Sequence, residues 1–182
     1  GEDVGAWGGV FRCTEGLFDK YGPDRVVDTP LSEEGYVGLA VGAAMTGMHP
    51  VPEIMFGDFI TLAMDQIVNY VAKWEDMFDR QVRVPLVIRS IIGRGWGCGA
   101  QHSQSLHGLF AQVPGLKVVM PSSPYDAKGL LLAAVADDSP VLVLAHGAGA
   151  VSSHPWMEAY AEALAARGMN VVTFDFDYVR AK

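Results

Sequence analysis

Two polar side chains in this sequence have the type and the setting for acid–base chemistry, and Glu33 is the first. It follows the turn-forming run 28–32 and opens a stretch rich in glycine and alanine. A carboxylate at the point where a strand gives way to a helix lies where open α/β sheets collect ligands. Partial burial there would let it share a proton with a ring nitrogen. The alternative is an acid that only complements a helix dipole.

His102 is the second, because it follows the glycine-rich stretch 93–99 and precedes a predicted short helix. A histidine held there can donate a hydrogen bond or shuttle a proton near neutral pH. A polar loop histidine without a function is the alternative, and it also describes His49 and His107. Phe59 has the flat ring needed to stack on an aromatic ligand, although an aromatic at the start of a buried helix face is equally typical of a core.

The elements that must position these residues alternate short apolar strands with longer amphipathic stretches, which is typical of βαβ units. The sequence therefore predicts an α/β fold with a mainly parallel sheet flanked by helices. The predicted strands are 25–28, 51–56, 85–92, 116–120, 141–144 and 170–174, and the predicted helices are 32–46, 59–78, 105–111, 125–136 and 155–167. Apolar residues at three- and four-residue steps in 59–78 indicate one long helix with one buried face.

The composition excludes several classes of function. The 182 residues are 50% hydrophobic, enough to enclose a core, and a net charge of −8 without a basic run argues against binding nucleic acid or an acidic membrane surface. Cys13 and Cys98 are too few for a disulfide framework or a four-ligand zinc site, which favours a reducing compartment. No apolar run reaches the roughly 20 residues that cross a bilayer. The opening lacks a signal peptide and an initiating Met, so we expect the sequence to begin mid-protein.

Motifs spread over residues 1–140 resemble the beta subunit of the thiamine diphosphate-dependent 2-oxoacid dehydrogenases of the pyruvate and branched-chain type. They are Gly-Glu-Asp-Val-Gly at 1–5, Asp-Thr-Pro-Leu-Ser-Glu at 28–33, the glycine-spaced helix that follows, residues 55–59, Asp-Gln at 65–66, Gln-His-Ser-Gln at 101–104, Pro-Gly-Leu-Lys-Val-Val at 114–119 and Tyr-Asp-Ala-Lys-Gly-Leu at 125–130. The resemblance implies a transketolase-like pyrimidine-binding domain over 1–144, truncated at its amino-terminal end.

The resemblance also implies roles for individual residues. Glu33 would hydrogen-bond the aminopyrimidine ring of thiamine diphosphate and so activate the cofactor for decarboxylation of a 2-oxoacid. His102 would face the reacting centre and assist decarboxylation or acyl transfer to a lipoyl group. Phe59 would stack on the pyrimidine, Met55 would pack beside it, and Glu2 would line the cofactor pocket.

Partners and ions follow from the same resemblance. The diphosphate and Mg²⁺ ligands belong to an alpha subunit, so the cofactor would be shared between two chains of a heterotetramer that docks on a lipoyl acyltransferase core. Backbone carbonyls near Leu86, Ala134, Asp137 and Ser139 would hold a structural monovalent cation such as K⁺. The expected location is the cytoplasm, or the mitochondrial matrix in a eukaryote. The particular 2-oxoacid stays open, as does acetoin-type chemistry.

Residues 145–182 resemble the opening of a dienelactone-hydrolase-like α/β-hydrolase. The run His-Gly-Ala-Gly-Ala at 146–150 is similar to the loop that supplies oxyanion-hole donors in those enzymes. A nucleophile elbow of the G-x-S-x-G kind is missing, so Ser152 and Ser153 are interpreted as loop or helix-cap residues. Two further hypotheses therefore stand beside the dehydrogenase component: an inactive fragment or chimera joined near 141–146, and an ester or acyl hydrolase.

Overall fold

A computed structural model of the protein describes residues 1–92 and 98–146. Four strands in these ranges form one parallel sheet in the order β1-β2-β4-β3, with β1 at Glu53–Ile54, β2 at Val87–Ile92, β3 at Lys117–Val119 and β4 at Val141–His146. The helices are α1 Leu17–Tyr21, α2 Glu33–Met45, α3 Trp74–Met77, α4 His107–Ala111 and α5 Pro124–Ala136. The predicted α/β class with a parallel sheet is confirmed. The predicted helix 155–167 and strand 170–174 lie outside the described residues, as does most of the glycine-rich stretch.

Both faces of the sheet are buried, as the near-continuous apolar strands predict. Alternate residues of β2 and β4 point to opposite sides. On one side Ile88, Ile92, Leu142 and Leu144 pack in the main core with α2 and the segments that follow β1. On the other side the valines of β2 and β4 pack against Ala134 of α5. The sheet is thus a rigid layer from which the connecting loops project.

Helix α2 forms where the sequence predicts it. Ser32 is the residue before the first turn, although its hydroxyl donates to the Pro30 carbonyl at 3.0 Å instead of capping the helix. The helix ends at Thr46, followed by Gly47 with a φ of 92°, a conformation that glycine adopts without strain. This helix fixes Glu33 in its first turn.

The single long helix predicted over 59–78 is wrong. The segment is instead a 3-10 helix at Gly57–Ala63, a π-helix at Gln66–Val71 and the short α3. The mixed winding still buries Ile60, Ala63, Ile67 and Val71 on one side, because a tight turn followed by a wide one keeps the three- and four-residue steps in line. Trp74 also packs against the core, and the predicted apolar face ends after it, since Phe78 is 46% exposed.

The strand predicted at 25–28 is also wrong. The amides of Arg25 and Val26 both donate to the Gly22 carbonyl, which makes a turn. After it, Val27 and Thr29 bond only to Gly1, too little pairing for a ladder. The strand predicted at 51–56 shortens to β1, and α1 was not predicted. The turn delivers the chain to Ser32 and α2.

Candidate functional site

Glu33 is a buried acid that nevertheless borders open space. Its residue is only 8% exposed, yet it lines an open cleft with a volume of ≈ 610 Å³. The other lining residues belong to the first two turns of α2 and to the facing 3-10 and π segments: Ser32, Glu34, Gly35, Gly38, Leu62 and Gln66. Glu34, the next residue, is exposed. A ligand entering the cleft would therefore meet Glu33 beside backbone that carries no side chains at Gly35 and Gly38.

Glu2 and Glu33 come together although they are far apart in sequence. Burial raises the pKa of the Glu2 carboxyl, the charge of Glu33 raises it further, and a hydrogen bond with the Ser32 backbone partly offsets both effects. Burial, followed by the charges of Glu2, Glu33 and Glu53, also raises the pKa of the Tyr36 hydroxyl. Glu2 Oε1 and Tyr36 Oη are buried without a hydrogen-bond partner in the described part of the chain.

The aromatic part of the predicted site is also assembled. The His102 ring lies edge-on to Phe59, with 5.1 Å between ring centroids, and edge-on to Phe56 at 5.0 Å. His102 and Phe59 are both half-buried, and Met55 is half-buried just before Phe56. His102 is thereby held against the segment that the resemblance assigns to the cofactor ring.

These side chains sit beyond the carboxyl ends of the strands. Met55 directly follows β1, and a Cβ on Gly57 would lie 2.9 Å from Ile92 Cγ2 at the end of β2. His102 lies on the connection that leaves β2. Helix α2 packs against the 3-10 segment that carries Phe59. Open parallel sheets typically bind their ligands beyond these carboxyl ends.

The four residues predicted to hold a cation lie at the opposite end of the strands, where β2 and β4 begin. The Leu86 carbonyl accepts the Val141 amide at 3.1 Å, and the Ala134 carbonyl accepts the Asp137 amide at 3.3 Å. The Asp137 carboxylate accepts from Lys117 Nζ at 2.6 Å and from the Ser139 amide at 2.8 Å, and these bonds lower its pKa. A carbonyl oxygen keeps a second lone pair, so the cation site stays a prediction. Within the described ranges no group of three His, Cys, Asp or Glu side chains could hold a metal ion.

Sequence reasoning overlooked three polar residues near the site. Tyr36 lies one turn after Glu33. Gln66 is 8% exposed, its Nε2 donates to Glu34 Oε1 at 3.3 Å, and its Oε1 has no partner among the described residues. Asp58 is 6% exposed and accepts from Gln104. The signal available for each was a polar residue inside an otherwise apolar face.

Two protein families match the sequence. Residues 1–148 match the family described as the pyrimidine binding domain of transketolase. Residues 138–182 match a family described as an alpha/beta hydrolase domain, and most of that match, from residue 147 on, lies outside the described residues.

Several individual proteins match this chain at about half of the aligned positions. In Bacillus subtilis (strain 168), the beta subunit of acetoin:2,6-dichlorophenolindophenol oxidoreductase is 54% identical over 140 residues, which cover 77% of this chain and 41% of that protein. The 2-oxoisovalerate dehydrogenase subunit beta of the same organism is 50% identical, and its pyruvate dehydrogenase E1 component subunit beta is 49% identical, each over 80% of this chain and 45% of the relative. The chain thus spans about two fifths of the length of these relatives.

A solved structure supports the same fold. A split gene transketolase in the form of an inactive beta4 tetramer aligns with a TM-score of 0.59 and 20% identity, over 74% of this chain and 41% of that one. Across residues 1–92 and 98–146, no helix is long and apolar enough to span a membrane.

Proposed function

Because this chain belongs to the transketolase pyrimidine-binding domain family, we propose that it is the beta-type component of a thiamine diphosphate-dependent 2-oxoacid dehydrogenase and supplies the acid that activates the cofactor. The observation that carries the proposal is Glu33, a buried carboxylate that lines an open cleft. Phe59 lies on the 3-10 segment that packs against α2, and the half-buried His102 ring contacts Phe59. Relatives that use acetoin, 2-oxoisovalerate and pyruvate support the class of reaction without deciding the substrate.

The described residues fit the pyrimidine end of this cofactor. Gly35 and Gly38 leave room for a flat ring beside Glu33. The charges of Glu2 and Glu33 act on Tyr36, whose Oη is buried without a partner among the described residues. Phe59 offers a face for stacking, with Met55 next to it. When bound, thiamine diphosphate supplies a nucleophilic carbon and an electron sink for decarboxylation.

The protein's own part in the reaction is proton handling and positioning. The Glu33 carboxyl would exchange a proton with a ring nitrogen of the bound cofactor in the cleft, where burial strengthens the hydrogen bond. His102 exchanges a proton at its imidazole during decarboxylation or acyl transfer. Phe56 and Phe59 hold that imidazole edge-on and limit its motion.

We further propose that an alpha subunit completes the cofactor site by contributing the residues that bind Mg²⁺ and the diphosphate. The two subunits together would act with a lipoyl acyltransferase core. The seven residues lining the cleft include no lysine or arginine, so the negatively charged end of the cofactor needs another source of positive charge. The proposal places the complex in the cytoplasm of a bacterium or the mitochondrial matrix of a eukaryote. The K⁺ site at the amino ends of β2 and β4 belongs to the same proposal.

A buried acid of the cleft and an exposed acid outside it, each replaced by its amide, test the function. The chain is mixed with an alpha subunit of a related dehydrogenase, thiamine diphosphate and Mg²⁺, and decarboxylation of a panel of 2-oxoacids and cleavage of acetoin are measured. Glu33→Gln should lower kcat roughly 100-fold or more, as expected for loss of a general acid–base group. Glu15→Gln should change it by less than about threefold, since Glu15 is exposed and is not among the residues that line the cleft.

Equal activity of the Glu33→Gln variant and wild type, in a complex verified by size-exclusion chromatography, would refute the assignment of Glu33. A complex that forms and converts none of the substrates would favour the inactive fragment. The match of residues 138–182 to the hydrolase family forms no part of this proposal.

A further inference from the structure

Asp58 is a buried carboxylate with two bonds to one distant residue. It lies in the 3-10 helix between Gly57 and Phe59 and is 6% exposed. Its Oδ1 accepts the backbone amide of Gln104 at 3.1 Å and the side-chain Nε2 of Gln104 at 2.8 Å. Its Oδ2 is buried without a partner in the described part of the chain. Burying a carboxylate is costly unless it is bonded, so these two bonds to Gln104 are the compensation visible here.

Gln104 lies two residues after His102, on the same loop. Asp58 lies between the two residues whose rings contact the His102 ring, Phe56 and Phe59. The close approach of Gly57 to Ile92 fixes this 3-10 segment against the end of β2. The two bonds from Asp58 therefore tie the loop that carries the imidazole to the segment that the imidazole packs against.

We infer that Asp58 is a positioning residue for His102, acting through Gln104. The inference rests on the proposed function, because it gives His102 its orientation for that reaction. Phe56 and Phe59 restrict the rotation of the His102 ring by contact with it. The Asp58–Gln104 bonds fix the position of the loop relative to the 3-10 segment. A misplacement of about 1 Å at a reacting group can cost roughly 100-fold in rate, which gives such a tie a measurable effect.

The first test needs no catalytic activity. The His102 ring protons are followed by NMR in the full chain, as wild type, Asp58→Asn and Asp58→Ala. Asn keeps an oxygen that can accept from Gln104, so the ring-current shifts from Phe56 and Phe59 should stay close to wild type. Ala removes both bonds, and the shifts should move toward those of the exposed His49, whose own signals should not change.

Unchanged His102 shifts in a folded Asp58→Ala variant would overturn the inference. If Asp58→Ala does not fold, Gln104→Ala replaces it. That variant removes the side-chain bond and keeps the backbone bond, so it should give a partial movement of the same shifts. The absence of any movement in folded Gln104→Ala would then count against the assignment.

The second test uses the complex with the alpha subunit. Asp58→Ala should lower kcat roughly 10- to 100-fold while KM and the Kd for thiamine diphosphate stay unchanged, and Asp58→Asn should restore most of the rate. In a His102→Ala background, Asp58→Ala should cost nothing further, because its effect passes through the imidazole. If the double variant instead lowered kcat by the product of the two single effects, the inference would be overturned. A wild-type complex without activity would overturn the proposed function, and the ring shifts would still decide the role of Asp58.

Discussion

Tyr36 changes what the buried acids beside it can bind. Burial and the charges of Glu2 and Glu33 raise the pKa of its hydroxyl, so the phenol stays protonated at physiological pH. A protonated phenol both donates and accepts hydrogen bonds, whereas an ionised carboxylate only accepts them. The site at the start of α2 therefore contains a neutral donor one turn away from Glu33.

His107 makes the stability of the protein depend on pH. It is 1% exposed in α4, and burial lowers its pKa from 6.5 to about 4. The folded state therefore binds fewer protons than the unfolded state below pH 6.5, so stability is complete above 6.5 and is lost as the pH falls toward 4. The full pKa difference corresponds to at most about 3 kcal/mol. Urea unfolding at pH 7.5 and pH 4.5 should show this loss in wild type and a smaller one in His107→Gln.

His49→Gln is the control for that measurement, because His49 is exposed; its unfolding free energy should follow wild type at both values of pH. Parallel pH dependences of wild type and His107→Gln would show that the buried imidazole is not responsible.

Residue type and immediate neighbours were enough to select Glu33, His102 and Phe59 as candidates. Asp58 escaped the same reasoning, because an acid at the start of a helical segment ordinarily faces solvent and complements the helix dipole. Its partner Gln104 lies 46 positions away, and no local pattern encodes such a pairing. Candidate residues could therefore be chosen from the sequence, while the contacts that orient them required the fold.

At the scale of elements, the loop before β3 passes very close to the end of the π-helix. Gly115 has a φ of 92°, and a Cβ placed on it would lie 2.0 Å from the Ala72 carbonyl oxygen. Gly47, after α2, has the same φ and open space around it. The two glycines thus separate the cost of the backbone conformation from the cost of the contact.

Gly47→Ala should lower the unfolding free energy by about 1–2 kcal/mol, the cost of a left-handed conformation for alanine. Gly115→Ala should lower it by at least about 2 kcal/mol more, because backbone must move to admit the methyl group. Denaturant unfolding of both variants checks this. Equal losses would mean that the loop before β3 can move away from Ala72 without cost.

The elements that the sequence predicts well are those with a local cause. Helix α5 begins with Ser123, whose hydroxyl accepts the Asp126 amide at 3.0 Å, and with a proline in its first turn, which are standard start signals. The segment 59–78 has no such signal at its internal breaks. Its apolar spacing fits one α-helix as well as it fits a 3-10 turn followed by a π turn, so periodicity alone could not distinguish them.

At the scale of the whole molecule, the proposed function makes the cleft at Glu33 one side of a binding site that an alpha subunit would complete. Its lining includes two acids and no basic residue, which disfavours a diphosphate. Isothermal titration of the chain alone should therefore show no saturation at low micromolar thiamine diphosphate, and thiamine without phosphates should bind no more weakly. Addition of the alpha subunit and Mg²⁺ should produce tight binding of the diphosphate form only.

Saturation of the chain alone at low micromolar thiamine diphosphate would contradict this division of the site between two chains. Glu33→Gln in the assembled pair should weaken binding of the diphosphate and of thiamine by similar factors, because the substitution alters the pyrimidine end that the two ligands share.

The position of β4 in the sheet has a consequence for synthesis on the ribosome. β4 is the last described strand in the chain, yet it lies between β2 and β3 and pairs with both. Until it has emerged, the edges of β2 and β3 that pair with β4 have no strand to bond to. Parallel pairing between segments so distant in sequence closes late. The nascent chain therefore has to be kept from aggregating until residue 146 has left the exit tunnel.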